Sequence, residues 1–237
     1  IDKTMIDLDG TPNKANLGGN TILAVSLAVA YAAANERKVP LYKHIAETFN
    51  TGVDFSNLPS PMIVVIEGGK HADETTDLQE YCISAIGSGS VKEKVRKAIE
   101  SYHALKTILK ENNLSTNVGN EGAFAPNGLP SNEAPLQYIV DAIKKAGYEP
   151  GVDLGISIDA AASEFFKDGK YHLSIENKIL SSQELIEYYK NWLINYPIVT
   201  IEDMLDEDDW ENWPALTAFA KEHSIENIGD DLTVTNM

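Results

Sequence analysis

Three short apolar runs in the chain each end in a carboxylate, and this pattern strongly constrains the fold. The acids that follow the runs are Asp159, Glu202 and Asp230. Short runs that stay apolar rather than alternating with polar residues are typical of strands buried on both faces, which occur mostly in parallel sheets covered by helices. In a barrel built from such strands, the chemistry sits where the strands end. Three acids on one rim would supply the hard oxygen ligands that Mg²⁺ prefers, so the sequence predicts a magnesium site at these residues.

A simpler interpretation is that each acid only caps the helix that follows its strand. Capping suffices to explain any one of the three acids. It gives no reason for acids to recur at one level of a barrel, so we prefer the metal site for the three together.

A second acidic feature is the run from residue 202 to residue 211, which contains seven carboxylates. We expect most of them in the first turn of a helix carrying Trp210 and Trp213, where the helix dipole favours negative charge. The sequence therefore predicts a solvated face, rather than ligands, for Asp206, Glu207, Asp208 and Asp209.

Composition argues against several classes of function. A formal net charge of -17, without a Lys/Arg patch, argues against binding to nucleic acid or to an anionic membrane. The longest apolar stretch, Ile22 to Ala34, is too short to cross a bilayer and predicts a helix buried on all sides. The single cysteine, Cys82, lies in an apolar run, which indicates a buried thiol in a reducing compartment. With no signal-peptide pattern at the first residues, we expect a soluble cytoplasmic protein.

Along the chain, helical patterns come first and an α/β alternation follows. Residues 50–61 are rich in Gly, Asn, Ser and Pro and form the best candidate linker. Beyond them, strand-like runs alternate with amphipathic helices, one of which begins with a capping box at Ser181. Asp168 and Gly169 predict a tight hairpin turn. The clearest helix predicts a core face formed by Val91, Val95, Ile99, Tyr102, Leu105 and Leu109.

Two loops and one strand start carry candidate catalytic groups. His71 follows paired glycines, which let the backbone fold around a small ligand, although a histidine beside glycines is more often an ordinary turn residue. Glu121 is embedded among Gly, Ala and Pro, so we expect a partly desolvated carboxyl whose pKa is raised enough for acid–base chemistry. Glu80, at the start of an apolar strand, is a second such group, and a close pair of carboxyls keeps one protonated near neutral pH.

Several separate motifs occur in one order along the chain: LDGTPNK (8–14), GGKHA (68–72), LQE (78–80), GNEG (119–122), SEFFKDGKY (163–171), IED (201–203) and GDDLTVTN (229–236). On these motifs the chain closely resembles the enolase family, the glycolytic phosphopyruvate hydratases, essentially from end to end. The resemblance implies an α/β fold. Residues 1–57 would be the helical remainder of an α+β N-terminal domain, and residues 58–237 the first part of an enolase-type, TIM-like barrel whose first strands include an antiparallel one.

The resemblance also implies an activity, namely the reversible dehydration of 2-phosphoglycerate to phosphoenolpyruvate with Mg²⁺, by a homodimer with no nucleic-acid or membrane partner. It places the metal ligands at Asp159, Glu202 and Asp230. It places the proton donor at Glu121, assisted by Glu80. The substrate-binding positions are His71, Glu80, Glu202 and Asp230.

The chain departs from the family pattern in extent and at single positions. We expect a fragment of a longer enzyme, because no position here matches the family's catalytic lysine base, its histidine-bearing loop or the second half of its barrel. Glu67 stands where the family usually has Asn, and Asn120 and Ala123 where it usually has Asp and Gly. Loss of the charge at position 120 is expected to lower the pKa of the neighbouring Glu121.

Two other functions are compatible with the same sequence. One is a catalytically inactive enolase-like protein that serves as a binding or scaffold subunit, and the other is a barrel enzyme of the wider superfamily that acts on a different carboxylate. Retention of the three metal acids together with His71, Glu80 and Glu121 favours the enzyme, since a scaffold needs none of them. The loops 119–127 and 229–236 favour enolase itself over its wider superfamily.

Overall fold

The computed structural model describes residues 1–56 and 58–234. The chain divides into two compact units, Ile1–Leu58 and Pro59–Met237. The domains 1–57 and 58–237 remain our proposal for the organisation of the chain. Asn57, at the end of the first of these domains, and Thr235 and Asn236, at the end of the last motif, lie outside the described residues.

The first unit consists of three helices, α1 (Asp2–Asp9), α2 (Gly19–Glu36) and α3 (Leu41–Phe49). Pro40 directly precedes α3, as the sequence predicts, because its fixed φ suits a helix start. The buried carboxylate of Asp9 organises the loop after α1 by accepting the backbone N–H groups of Thr11, Asn16 and Leu17.

Burial of α2 on all sides is a wrong prediction for this structure. Only Ile22 and Ala34 of this helix are buried, while Leu23 is 58% and Tyr31 is 55% exposed. Within its own unit α2 contacts α1 and α3, two much shorter helices that cannot cover every face of an apolar helix.

The second unit is built on a five-stranded sheet with the order β1-β2-β3-β7-β8, accompanied by a three-stranded sheet with the order β4-β5-β6. The strands are β1 (Met62–Glu67), β2 (Glu80–Ser84), β3 (Gly155–Asp159), β4 (Phe166–Lys167), β5 (Lys170–Leu173), β6 (Lys178–Leu180), β7 (Ile198–Glu202) and β8 (Glu226–Ile228). In the larger sheet β2 is antiparallel to both β1 and β3, whereas β3, β7 and β8 are parallel. The expected antiparallel strand among the first strands is therefore present.

In the described part of the second unit, four α-helices accompany these strands, namely α4 (Val91–Glu111), α5 (Ala134–Lys145), α6 (Ser182–Asn195) and α7 (Trp213–Glu222). One hydrophobic core joins their buried faces to the larger sheet. The capping box that begins α6 is confirmed, because Ser181 and Glu184 each bond the backbone N–H of the other. The hairpin is confirmed too: Asp168 and Gly169 both have positive φ, as a two-residue primed turn requires.

The predicted core face of α4 is only half right. Leu105 and Leu109 are buried, but Val91, Val95 and Ile99 are 37–40% exposed. The first half of the helix instead buries the small side chains of Ala98 and Ser101. A pattern of large apolar residues does not predict the burial of such small side chains.

The acidic run does not begin a helix. Helix α7 starts at Trp213, after the last acid of the run, and no acid lies in its first turn. Glu207 and Asp208 are exposed, as predicted, but Asp209 accepts hydrogen bonds from Tyr171 and Asn212 and so has a structural role that a solvated face does not provide.

The thiol of Cys82 is buried, as predicted. In residues 1–56 and 58–234, no helix combines the length and the apolar character that a membrane-spanning segment needs.

Candidate active site

A row of four carboxylates crosses the larger sheet at one level. Glu67 pairs with Glu80, Glu80 with Asp159, and Asp159 with Glu202, so the four lie on adjacent strands. The last strand continues the row with Ile228. The row coincides with the carboxyl ends of β1, β3, β7 and β8, the end at which barrel enzymes place their chemistry.

Burial and neighbouring negative charges raise the pKa of three carboxyls in this row. Burial, together with the charges of Glu121 and Asp159, raises the pKa of Glu80 to about 7. Burial and the charge of Asp159 likewise raise the pKa of Glu202 to about 7. Burial raises the pKa of Asp159 to about 6, although a hydrogen bond from the backbone of Ala161 acts in the opposite direction. The site therefore concentrates negative charge that a cation would neutralise.

Asp159 is held in place by its neighbours. One carboxylate oxygen accepts the N–H of Ala161 at 2.9 Å and the other accepts the side-chain amide of Gln79 at 3.2 Å. Ala161 has a φ of 43°, a left-handed conformation that is unfavourable for a residue with a Cβ and that is found at functional sites. The turn after β3 and the side chain of Gln79 thus hold both oxygens of the Asp159 carboxylate in place.

Asp230 reaches the site through a loop that Asp203 organises. The carboxylate of Asp203 is buried and accepts the N–H groups of Asp230 at 3.1 Å, Asp231 at 2.7 Å and Leu232 at 3.3 Å. The side chain of Asp230 is exposed, and its charge contributes to the raised pKa of Glu202. Asp230 therefore lies beside the row rather than in it.

A second cluster lies next to Glu80. The Nδ1 atom of His71 is 3.5 Å from Glu80 Oε1 and 3.8 Å from Glu121 Oε1. This nitrogen is buried and has no hydrogen-bond partner in the described part of the chain. His71, Glu80 and Glu121 offer ligand atoms that all lie within 4.8 Å of one another, so this trio could hold a metal ion or a polar group of a substrate.

The turn that carries His71 requires glycine. A Cβ on Gly68 would lie 2.0 Å from the hydroxyl oxygen of Thr76 and 2.8 Å from the carbonyl oxygen of Leu78. The N–H of Gly68 donates to Gln79, which ties the turn to the start of β2. The small size of glycine thus permits the tight turn that places His71 beside Glu80.

The loop that carries Glu121 is attached to the edge of β1. The N–H of Phe124 donates to Val65 and the N–H of Glu67 donates to Phe124, so Phe124 extends the sheet by one bridge. Tyr102 of α4 stacks on Phe124 with ring centroids 4.3 Å apart, and its hydroxyl donates to the carbonyl of Gly122 at 2.8 Å. These contacts hold the loop of Glu121 at β1, which is the end of the row opposite the strand of Glu202.

The structure assembles the predicted residues into two neighbouring groups. His71, Glu80 and Glu121 form one, and Asp159 and Glu202 are direct partners on β3 and β7. Within the described residues, the ligand atoms of Asp159, Glu202 and Asp230 do not all lie within 4.8 Å of one another. The donor set nevertheless fits a hard divalent cation, because it consists of carboxylate oxygens, two of which belong to half-buried side chains whose pKa burial raises.

Sequence reasoning missed the supporting roles of three residues. Gln79 bonds Asp159, Asp203 holds the loop of Asp230, and Tyr102 holds the loop of Glu121. Gln79 and Asp203 directly precede or follow a predicted site residue inside a motif, which is the pattern that would have found them. Nothing in the local sequence marks Tyr102, because its partner lies twenty residues away.

Two family models match the chain. The model described as enolase, C-terminal TIM barrel domain, matches residues 55–237, and the model described as enolase, N-terminal domain, matches residues 1–45. The first match alone covers more than half of the chain and contains every predicted site residue. On these matches, and with the carboxylate row at its strand ends, the chain belongs to the enolase family.

Proposed function

We propose that this protein is a hydro-lyase that interconverts 2-phosphoglycerate and phosphoenolpyruvate with Mg²⁺. The observation that carries the proposal is the meeting of two groups at one end of the sheet. The row containing Asp159 and Glu202 is suited to a cation, and the trio of His71, Glu80 and Glu121 is suited to proton transfer and substrate contact. Glu80 belongs to both groups, so the metal and the acid would act on one substrate.

The metal would be held by Asp159, Glu202 and Asp230. When bound, Mg²⁺ supplies positive charge beside the substrate carboxylate, where a second negative charge develops when the proton on carbon 2 is removed. The loop held by Asp203 would bring Asp230 to the ion.

Glu121 would protonate the leaving hydroxyl. The carbon–oxygen bond at carbon 3 breaks, the oxygen takes the proton of Glu121 and departs as water, and the electron pair from carbon 2 forms the new double bond. Glu80 would assist Glu121, because burial and the charge of Glu121 raise the pKa of Glu80 to about 7, so that Glu80 can carry a proton near neutral pH. A different residue would remove the carbon-2 proton.

His71 would contact the substrate. Its Nδ1 atom faces Glu80 and Glu121 and makes no hydrogen bond within the described residues, so a substrate oxygen between these groups would be its partner. A glycolytic role in the cytoplasm and assembly as a homodimer come from the family resemblance and complete the proposal.

The test separates proton donation from proton removal. In the intact protein, Glu121→Gln should lower the rate of phosphoenolpyruvate formation by about a hundredfold or more. Exchange of the carbon-2 proton of 2-phosphoglycerate with deuterium, followed by NMR, should remain measurable, because another residue removes that proton.

Asp208→Asn is the matched control, since Asp208 is exposed and lies outside the site, and it should leave both rates unchanged. Loss of exchange in parallel with turnover in Glu121→Gln would make Glu121 part of the proton-removing machinery. An unmodified protein that binds Mg²⁺ without forming phosphoenolpyruvate would instead support the inactive scaffold.

A further inference from the structure

The side chain of Glu67 lies beneath the loop of Glu121. Glu67 is the last residue of β1 and is fully buried, and it pairs with Glu80 across the sheet. Directly paired residues of neighbouring strands point to the same face, so its carboxyl lies on the face that carries Glu80.

The carboxylate of Glu67 accepts the backbone N–H of Glu121. The distances from that nitrogen are 3.2 Å to Oε2 and 3.4 Å to Oε1. This contact fastens the loop at the residue that the proposed reaction uses, whereas the bonds of Phe124 fasten it three residues later.

The loop backbone approaches Glu67 closely at Gly119. A Cβ on Gly119 would lie 2.6 Å from the carboxyl carbon of Glu67 and 2.9 Å from the carbonyl oxygen of His71. The absence of a side chain at Gly119 therefore lets the loop rest directly on the carboxyl of Glu67 and on the turn of His71.

We propose that Glu67 is the positioning residue of Glu121: by accepting the Glu121 N–H from below the loop, its buried carboxyl holds the Glu121 side chain against His71 and Glu80. The proposal rests on the proposed function for its catalytic consequence, but the hydrogen bond itself can be tested without turnover. Asn, the residue usual in the family at this position, has a side chain shorter by one methylene group.

The first experiment measures hydrogen exchange of the Glu121 amide by NMR in the intact protein with Mg²⁺. Glu67→Met matches the length of the side chain but has no oxygen to accept the bond, and should raise the exchange rate by about tenfold. Glu67→Gln keeps an acceptor oxygen and should stay within about threefold of the unmodified protein. Glu111→Met, at an exposed position of α4, is the control and should change nothing. An unchanged exchange rate in Glu67→Met would overturn the proposal.

The second experiment measures turnover against exchange of the carbon-2 proton. Glu67→Met should lower kcat for dehydration by about tenfold or more while KM and carbon-2 exchange stay within about threefold, and Glu67→Gln should restore most of kcat. A parallel loss of dehydration and carbon-2 exchange would show a merely structural role and overturn the proposal. If the unmodified protein forms no phosphoenolpyruvate, the proposed function fails, and amide exchange alone decides the role of Glu67.

If Glu67→Met does not fold cooperatively, Glu67→Asp replaces it. Aspartate keeps the charge but withdraws the oxygen from the Glu121 N–H by one methylene group. Like Glu67→Met, it should raise the exchange rate of the Glu121 amide by about tenfold. An unchanged rate would again overturn the proposal.

Discussion

At the scale of single residues, the site is a set of carboxyls whose roles differ because their surroundings differ. Asp159 and Glu202 are half-buried on adjacent strands, and burial raises the pKa of both. The charge of Asp159 raises the pKa of Glu202 further. Asp208 is exposed, and its backbone N–H bonds the neighbouring Asp206. The proposed division between ligands and solvated acids follows from position on the sheet and not from residue type.

Removing one proposed ligand should weaken metal binding strongly. In calorimetric titrations of the intact protein with Mg²⁺, Asp159→Ala and Glu202→Ala should each lower affinity by at least about tenfold, because each removes one of three hard oxygen donors. Asp208→Ala is the matched control and should bind as the unmodified protein does. If Asp208→Ala proved the most damaging of the three, the assignment of the ligands would have to be withdrawn.

At the scale of elements, local chemistry sets where helices and turns begin and end. The Ser181 and Glu184 pair begins α6 by satisfying two backbone N–H groups that the helix itself cannot. Helix α6 follows the three-stranded sheet and precedes β7, the strand that ends in Glu202. A well-defined start of α6 therefore contributes to the placement of the site.

Loss of the cap should destabilise the second unit measurably. Ser181→Ala removes the hydroxyl that accepts the N–H of Glu184 and should lower the free energy of unfolding by about 1 kcal/mol. Ser182→Ala, one position later and without that role, should stay within about 0.5 kcal/mol of the unmodified protein. Urea unfolding followed by tryptophan fluorescence measures both, since Trp192 is buried in α6. Equal effects of the two substitutions would contradict the capping role.

At the scale of the whole molecule, negative charge dominates. The chain has a formal net charge of -17, and four buried or half-buried carboxyls lie on one level of the sheet without a compensating lysine or arginine among their bonded partners in the described residues. Such an arrangement favours any ligand that brings positive charge to the folded state, since a ligand that binds only that state stabilises it by mass action.

Mg²⁺ should therefore raise the melting temperature of the unmodified protein. Which of the two proteins is more stable, the unmodified one or Asp159→Asn, should depend on whether Mg²⁺ is present. At a concentration about a hundred times its Kd, the ion should stabilise the unmodified protein by about 2.7 kcal/mol. In EDTA, Asp159→Asn should melt at the same or a higher temperature than the unmodified protein, because it relieves repulsion in the row. In Mg²⁺ it should melt lower, having lost a ligand. Calorimetric melting of both proteins, with Asp208→Asn as control, checks this, and a full Mg²⁺ shift in Asp159→Asn would count against the metal site.

The sequence by itself determined the local features and the ends of the strands. The capping box of α6, the Asp168–Gly169 turn and the acids that end β3 and β7 each depend on neighbours within a few residues, so the pattern predicts them directly. The sequence pattern did not predict which faces of α2 and of the first half of α4 are buried, because burial of a helix face depends on the elements that pack against it.

Only the tertiary structure decided which side chains meet. Glu67 and Glu121 are 54 positions apart, and no periodicity or motif connects them. Their contact arises because β1 and the loop bridge at Phe124 bring two distant segments together, and Asp203 reaches the loop of Asp230 in the same way across 27 positions. Such long-range contacts depend on the order in which the strands pair in the sheet, and a local sequence pattern does not predict that order.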